Sequence, residues 1–170
     1  TQGVSSAASD VYKRQEMVLP NFDTLLEKYA HLITKVGVNV QKNDTVVVYA
    51  SVDQAALARL VTKEAYQLGA AEVIVQWNDE EIQREFLNHA ADERLNEIPA
   101  YKVDEANTFA KKRVTRISIV SQNPDALLGV DTNRVASYQA ARGKALQAVM
   151  EATQSNKLRW TVAVSYTHLT

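Results

Sequence analysis

The chain has 170 residues, of which 46% are hydrophobic and 23% charged, and its formal net charge at pH 7 is -1. This composition is typical of a globular domain with a real core, and the balanced charge argues against a dedicated nucleic-acid binder. The absence of cysteine excludes disulfides, cysteine-ligated metal sites and thiol nucleophiles, and no apolar stretch approaches the roughly 18 residues of a membrane span, so we expect a cytoplasmic protein with no membrane partner.

The two ends of the chain show no helix or strand period. Residues 1–16 read TQGVSSAASDVYKRQE and residues 165–170 read SYTHLT. Both strings resemble translated sequencing-adapter sequence, and no signal peptide is readable at the start. We therefore expect both segments to be non-native tails, and the native domain to span residues 17–164.

The domain begins with a helical pattern followed by a strand. Apolar residues recur at helical spacing after Asn21, which can cap the helix, and Gly37 ends the pattern. The apolar, β-branched run at 45–50 (TVVVYA) then predicts a strand that is covered on both faces.

A second helix and strand follow the same order. Ser51 or Asp53 can cap the helix, which leads to a second strand at 72–77 (EVIVQW). Asn78 then stands at a predicted N-cap, with Glu81 at the capping-box position. This alternation indicates a crossover connection between parallel strands.

The second half of the domain repeats the alternation. Asp92 can cap a short turn, and a helix is predicted over 101–110 before a third strand at 114–120. Asp131 opens one long predicted helix over 131–152, and a fourth strand follows at 158–162. The fold class predicted is α/β, with a mainly parallel open sheet of about four strands and helices on both faces.

A polar rim follows the predicted strands. In open α/β sheets, ligands gather at the carboxyl ends of the strands, so this rim is the candidate binding region. Helix capping is the simpler role for such side chains at strand-to-helix junctions. The rim consists of Ser51, Asp53, Asn78, Asp79, Ser121, Gln122 and Asn123.

Several enzyme classes lack the motifs that they need. The loop after the first strand, ASVDQAAL, has no glycine, and no G-x-G-x-x-G or G-x-x-x-x-G-K-[ST] phosphate-binding motif occurs in the chain. The third strand ends in Ser121 rather than the Asp of a phosphoacceptor domain. No G-x-S-x-G elbow is present for a serine hydrolase.

Histidine–carboxylate pairs occur twice on predicted helices. His31 follows Glu27, and His89 follows Glu85, in each case by four residues. Two ligands do not make a metal site, so we interpret both as solvent-exposed pairs on one helix face.

Two further features have structural interpretations. The basic run 111–113 complements the dipole at a helix C-terminus, and we expect Trp77 and Trp160 to pack in the core. Taken alone, the residues indicate an α/β domain to which no catalytic, cofactor-binding or metal-binding residue can be assigned.

Four segments in one order resemble the N-terminal part of the thermophilic metalloprotease family, which contains the aminopeptidase T, aminopeptidase S and aminopeptidase II types. The resemblance covers essentially everything from Met17 to Val164. The segments are NFDTLLEKYAHLITKVGVNVQKNDTVVVYASV, EAYQLGAAEVIVQWNDEE, SQNPDALLGVDTNRVASYQAARGKAL and SNKLRWTVAV.

The resemblance implies a cytoplasmic, dimeric exopeptidase that removes N-terminal amino acids from peptides with two divalent metal ions, typically cobalt, zinc or magnesium. It also implies that the metal-binding residues lie in the C-terminal half of the family enzyme, and none of those motifs occurs here. We therefore expect the chain to be an inactive N-terminal fragment with no metal site of its own.

Two other function classes stay open on the residues. The first is a stand-alone, non-catalytic α/β module that binds a ligand or a protein, and the second, weaker one is a nucleotide-dependent enzyme of the doubly wound type. The reading frame beyond Val164 would discriminate between the peptidase and the module, because a continuing frame rich in Glu, His and Asp supports the peptidase.

Overall fold

A computed structural model of the chain describes residues 21–121 and 125–165. Within them, four parallel strands form one sheet in the order β2-β1-β3-β4, so β1 and β3 are its inner strands. The predicted α/β class with a parallel sheet is confirmed. The strands are β1 (Thr45–Ser51), β2 (Glu72–Asn78), β3 (Thr115–Val120) and β4 (Trp160–Val164).

Helices connect the strands, as the alternating pattern predicts. No helix in the described ranges is both long and apolar enough to cross a membrane. The α-helices are α1 (Phe22–His31), α2 (Ala55–Gln67), α3 (Glu80–His89), α4 (Asp92–Asn96), α5 (Ala100–Lys112), α6 (Thr132–Ala145) and α7 (Gln147–Gln154), with a π-helix at Leu32–Gly37 and a 3-10 turn at Val52–Gln54.

One face of the sheet carries the largest apolar core. Alternate side chains of β1, namely Val46, Val48 and Ala50, point to this face. They pack with Ile117 and Ile119 of β3 and with side chains of α1 and α2. We call this side of the sheet the first face.

The second face is covered mainly by α5. Val47 of β1 packs there against Phe109 of α5 and Val114, and all three are buried. Helix α7 packs in turn on α5, through a cluster that contains Val149 and Leu158. The inner strand β1 therefore has helices on both sides, which accounts for its continuous apolar run.

A separate cluster of α3, α4 and α6 stands near the carboxyl edge of the sheet, because α3 follows β2 and α6 comes after β3. Arg134 of α6 holds it together: Nε donates to the Leu87 carbonyl at 2.6 Å, Nη2 donates to the Ala90 carbonyl, and Nη1 donates to Asp92 at 2.6 Å. One side chain thus satisfies carbonyls at the end of α3 and a carboxylate at the start of α4.

The amino edge of the sheet has its own polar link. Arg159, just before β4, donates to both carboxylate oxygens of Asp44 at 2.6 and 2.7 Å and to the Asn39 carbonyl at 2.6 Å. Asp44 also accepts from the Thr115 hydroxyl at 3.2 Å. This carboxylate therefore ties the loop before β1 to the starts of β3 and β4.

Two sequence predictions need correction. Trp77 and Trp160 are 48% and 44% exposed rather than packed in the core, because both lie on edge strands of the sheet. The single helix predicted over 131–152 is two helices, because the backbone leaves helical geometry at Leu146 (φ -100°, ψ 10°). Ser165, directly after β4, is buried, and its N–H donates to the Val120 carbonyl at 2.9 Å, while the non-native tail at 165–170 stays a prediction.

The Arg134 link generates a stability prediction. Arg134→Ala should lower the free energy of unfolding by about 2–3 kcal/mol, because it leaves part-buried carbonyls of Leu87 and Ala90 without a charged donor. Urea unfolding monitored by circular dichroism measures the change. The control is Arg94→Ala in the same cluster, which we expect to stay within about 0.5 kcal/mol of the parent. Equal losses in the two variants would contradict the assigned role.

Candidate functional site

The predicted polar rim lies at the carboxyl edge of the sheet. Ser51 ends β1 and is paired in register with Asn78, which ends β2, while Ser121 directly follows β3. These positions therefore share one edge, as parallel strands require. Gln122 and Asn123 lie outside the described residues.

Asp79 is committed to helix capping. Its Oδ1 atom accepts from the backbone N–H groups of Glu81 and Ile82 at 2.9 and 3.1 Å. The prediction that Asn78 caps this helix is wrong, because β2 extends one residue further than predicted and Asn78 is its last residue. A carboxylate at the helix N-terminus also complements the helix dipole.

Asp131 is the second confirmed cap. Its Oδ1 atom accepts from the Asn133 N–H at 2.7 Å, at the start of α6. Together with Asp79, it places a carboxylate at the first turn of two helices in the α3–α4–α6 cluster. In both carboxylates the Oδ1 atom thus accepts from the backbone.

The other predicted caps are not formed. The chain enters α2 through the 3-10 turn, so the N-cap of α2 falls on Gln54, and Ser51 makes no side-chain cap to that turn. Asp53 lies inside the turn. Asn21 precedes α1 in a left-handed conformation (φ 74°), and its side chain makes no cap hydrogen bond.

Gln54 is the polar residue of this edge that the sequence analysis missed. Its side chain is buried, and with the amide oriented to suit its neighbours it donates to the Ile119 carbonyl at 3.2 Å and accepts from the Ser121 N–H at 3.0 Å. It therefore joins the segment after β1 to the end of β3. The one signal for it in the sequence is its position in the loop directly after β1.

The histidines do not converge on a site. His89 lies 3.3 Å from Glu85, and both side chains are largely exposed, as predicted. His31 lies 3.1 Å from Glu64 of α2 rather than next to Glu27, because α1 packs against α2. Among the residues described, no group of three or more His, Asp or Glu could hold a metal ion.

A polar group occupies the second face near Tyr49. The Arg116 guanidinium carbon lies 4.8 Å from the centre of the Tyr49 ring, a cation–π distance. Burial raises the pKa of the Tyr49 hydroxyl, and the nearby positive charge of Arg116 partly offsets that effect. Beside them Gln76 donates to Glu105 at 2.9 Å. The group thus contains side chains of β1, β2, β3 and α5.

A family profile and individual relatives of known name point to the same protein family. The sequence profile described as thermophilic metalloprotease (M29) matches residues 22–168. The chain is 49% identical to aminopeptidase PepS of Streptococcus thermophilus over 149 residues, which are 88% of this chain and 36% of PepS. It is 42% identical to aminopeptidase AmpS of Bacillus subtilis (strain 168) over 144 residues, 85% of this chain and 35% of AmpS.

A solved structure agrees with these sequence matches. Wild-type AmpT from Thermus thermophilus superposes with a TM-score of 0.78 at 29% sequence identity, over 84% of this chain and 36% of that chain. The chain therefore spans about a third of the length of the curated relatives that it matches.

The two carboxylate caps generate a prediction that separates structural from ligand-binding roles. Asp79→Ala and Asp131→Ala should each lower the free energy of unfolding by about 0.5–2 kcal/mol, because backbone donors lose their acceptor. Ser51→Ala, at the same edge but without a cap hydrogen bond, should change it by less than about 0.5 kcal/mol. Denaturant unfolding of the three variants measures this, and stabilisation by either Asp→Ala change would instead indicate a ligand site.

Proposed function

Because this chain belongs to the thermophilic metalloprotease (M29) family, we propose that it is the N-terminal α/β part of a metal-dependent aminopeptidase, an enzyme that removes N-terminal amino acids from peptides. The observation that carries the proposal is the coverage of the matches. Each match takes in more than four-fifths of this chain but only about a third of the relative. The proposed native domain is residues 17–164, and Ser165 directly after it donates a hydrogen bond to Val120 at the end of β3.

The catalytic centre of this enzyme lies, in our proposal, in the rest of the polypeptide. The donors in the described residues do not fit a two-metal centre, because they contain no convergent group of three His, Asp or Glu. The carboxylates of Asp79 and Asp131 already accept backbone hydrogen bonds. The two divalent ions, cobalt, zinc or magnesium, would therefore take their ligands outside this chain.

The role proposed for this chain is architectural. The rigid sheet and the α3–α4–α6 cluster, fastened by Arg134, would form one wall beside the catalytic part of the enzyme. In the polar rim, Asp79 caps α3 and the Ser121 N–H donates to Gln54, so these two residues serve the fold. We further propose that the complete enzyme is a cytoplasmic homodimer.

The proposal predicts that the purified 170-residue chain does not hydrolyse leucyl or other aminoacyl chromogenic substrates in the presence of cobalt or zinc. The physical reason is that the chain lacks a convergent ligand set for two ions. PepS of Streptococcus thermophilus serves as the reference enzyme, and a tag-only sample sets the background. Metal-dependent turnover above that background would contradict the proposal.

A thermal-shift screen against a metabolite library addresses the alternative of a stand-alone binding module. We expect no ligand to raise the melting temperature of the chain. A reproducible shift that Asp53→Ala or Asn78→Ala abolishes would favour the binding module instead.

A further inference from the structure

The second face of β4 is apolar and exposed. Trp160 and Val162 point to this face and are 44% and 51% exposed, whereas Ala163, on the first face, is 3% exposed. Parallel strands are normally covered on both faces, because each face of the sheet is apolar. In the described part of the chain, β4 therefore has a full layer on one side only.

The neighbouring strand adds an unsatisfied donor to the same face. Arg116 of β3 is paired in register with Trp160, and Ser118 with Val162. The Nε atom of Arg116 is buried and has no hydrogen-bond partner among the described residues. A buried donor of this kind costs free energy unless an acceptor reaches it. We call Arg116, Ser118, Trp160 and Val162 the β4 platform.

We propose that the β4 platform is the surface on which the remaining polypeptide of the family enzyme packs. That segment would place apolar side chains on Trp160 and Val162 and a carboxylate beside the guanidinium of the half-buried Arg116. The inference rests on the proposed function, since it assigns the missing layer to the same polypeptide.

The length of the relatives supports this choice of occupant. PepS and AmpS are nearly three times as long as the segment that matches this chain. About two-thirds of their polypeptide therefore lies outside the match and is available to form a second layer. The positive charge of Arg116 beside this apolar surface also indicates the chemistry of the contact, because a carboxylate on the covering segment would pair with the guanidinium.

The test combines this chain with the part of PepS that lies outside the match. The two polypeptides are co-expressed, with an affinity tag on the PepS segment, and the amount of this chain that co-purifies is measured. The matched variants are Val162→Lys on the β4 platform and Val36→Lys on the π-helix, where the valine is 68% exposed. We expect Val162→Lys to reduce retention at least tenfold and Val36→Lys to leave it unchanged.

A folding control and a measurement of Trp160 burial accompany this test. Val162→Thr keeps the β-branched shape and should reduce retention less than the lysine variant, while circular dichroism should show that each variant retains the helix content of the parent. In a Trp77→Phe background Trp160 is the single tryptophan of this chain, and the fluorescence of the PepS segment measured alone is subtracted from that of the complex. Acrylamide quenching of Trp160 should fall at least twofold when the PepS segment is bound.

The outcomes of these experiments separate a failure of the proposed surface from a failure of the proposed function. Absence of a complex, equal retention of the two lysine variants, or unchanged quenching of Trp160 would overturn the proposed surface. A parent chain that forms a dimer by itself, and loses it in Val162→Lys, would assign the surface to a second copy and also overturn the proposal. Aminopeptidase activity of the co-purified complex is assayed separately: a complex that depends on Val162 but is inactive would support the surface and count against the proposed function.

Discussion

The burial of β1 on both faces is the constraint on which the rest of the structure depends. Val46, Val47 and Val48 are each 0% exposed, and each contributes about 1.5–3 kcal/mol by leaving water. Successive side chains of a strand point to opposite faces, so these valines require a helical layer on each side of the sheet. Helices α1 and α2 supply one layer and α5 supplies the other. The strands are therefore joined by crossover connections that contain helices, which place a layer on each face.

The same constraint accounts for the polar side chains at the carboxyl edge. Helices that cover a parallel sheet begin near this edge, and their first turns expose unpaired backbone N–H groups. Asp79 and Asp131 satisfy such groups. Gln54 joins the turn after β1 to the end of β3. The polar side chains described at this edge thus serve the fold.

Local sequence patterns predicted the helices and strands well, but they did not predict which side chains contact one another or are buried. The apolar run at 45–50 and the helical spacing around it identified β1 and its neighbours, because strand and helix periods are local properties. The exposure of Trp160, the pairing of His31 with Glu64 and the burial of Gln54 depend on the strand order and on how the helices pack. A single sequence carries no local signal for contacts between residues that are far apart in the chain. The resemblance in four segments supplied the family, which the residues alone could not.

The central claim is that this chain provides an α/β wall and no metal centre. Equilibrium dialysis of the purified chain against cobalt or zinc, followed by elemental analysis, tests it most directly, with intact PepS dialysed in parallel. The account predicts that the chain retains no stoichiometric metal ion, because its described carboxylates and histidines do not converge. Retention of one or two ions per chain, lost when His31 or His89 is replaced by Ala, would contradict it.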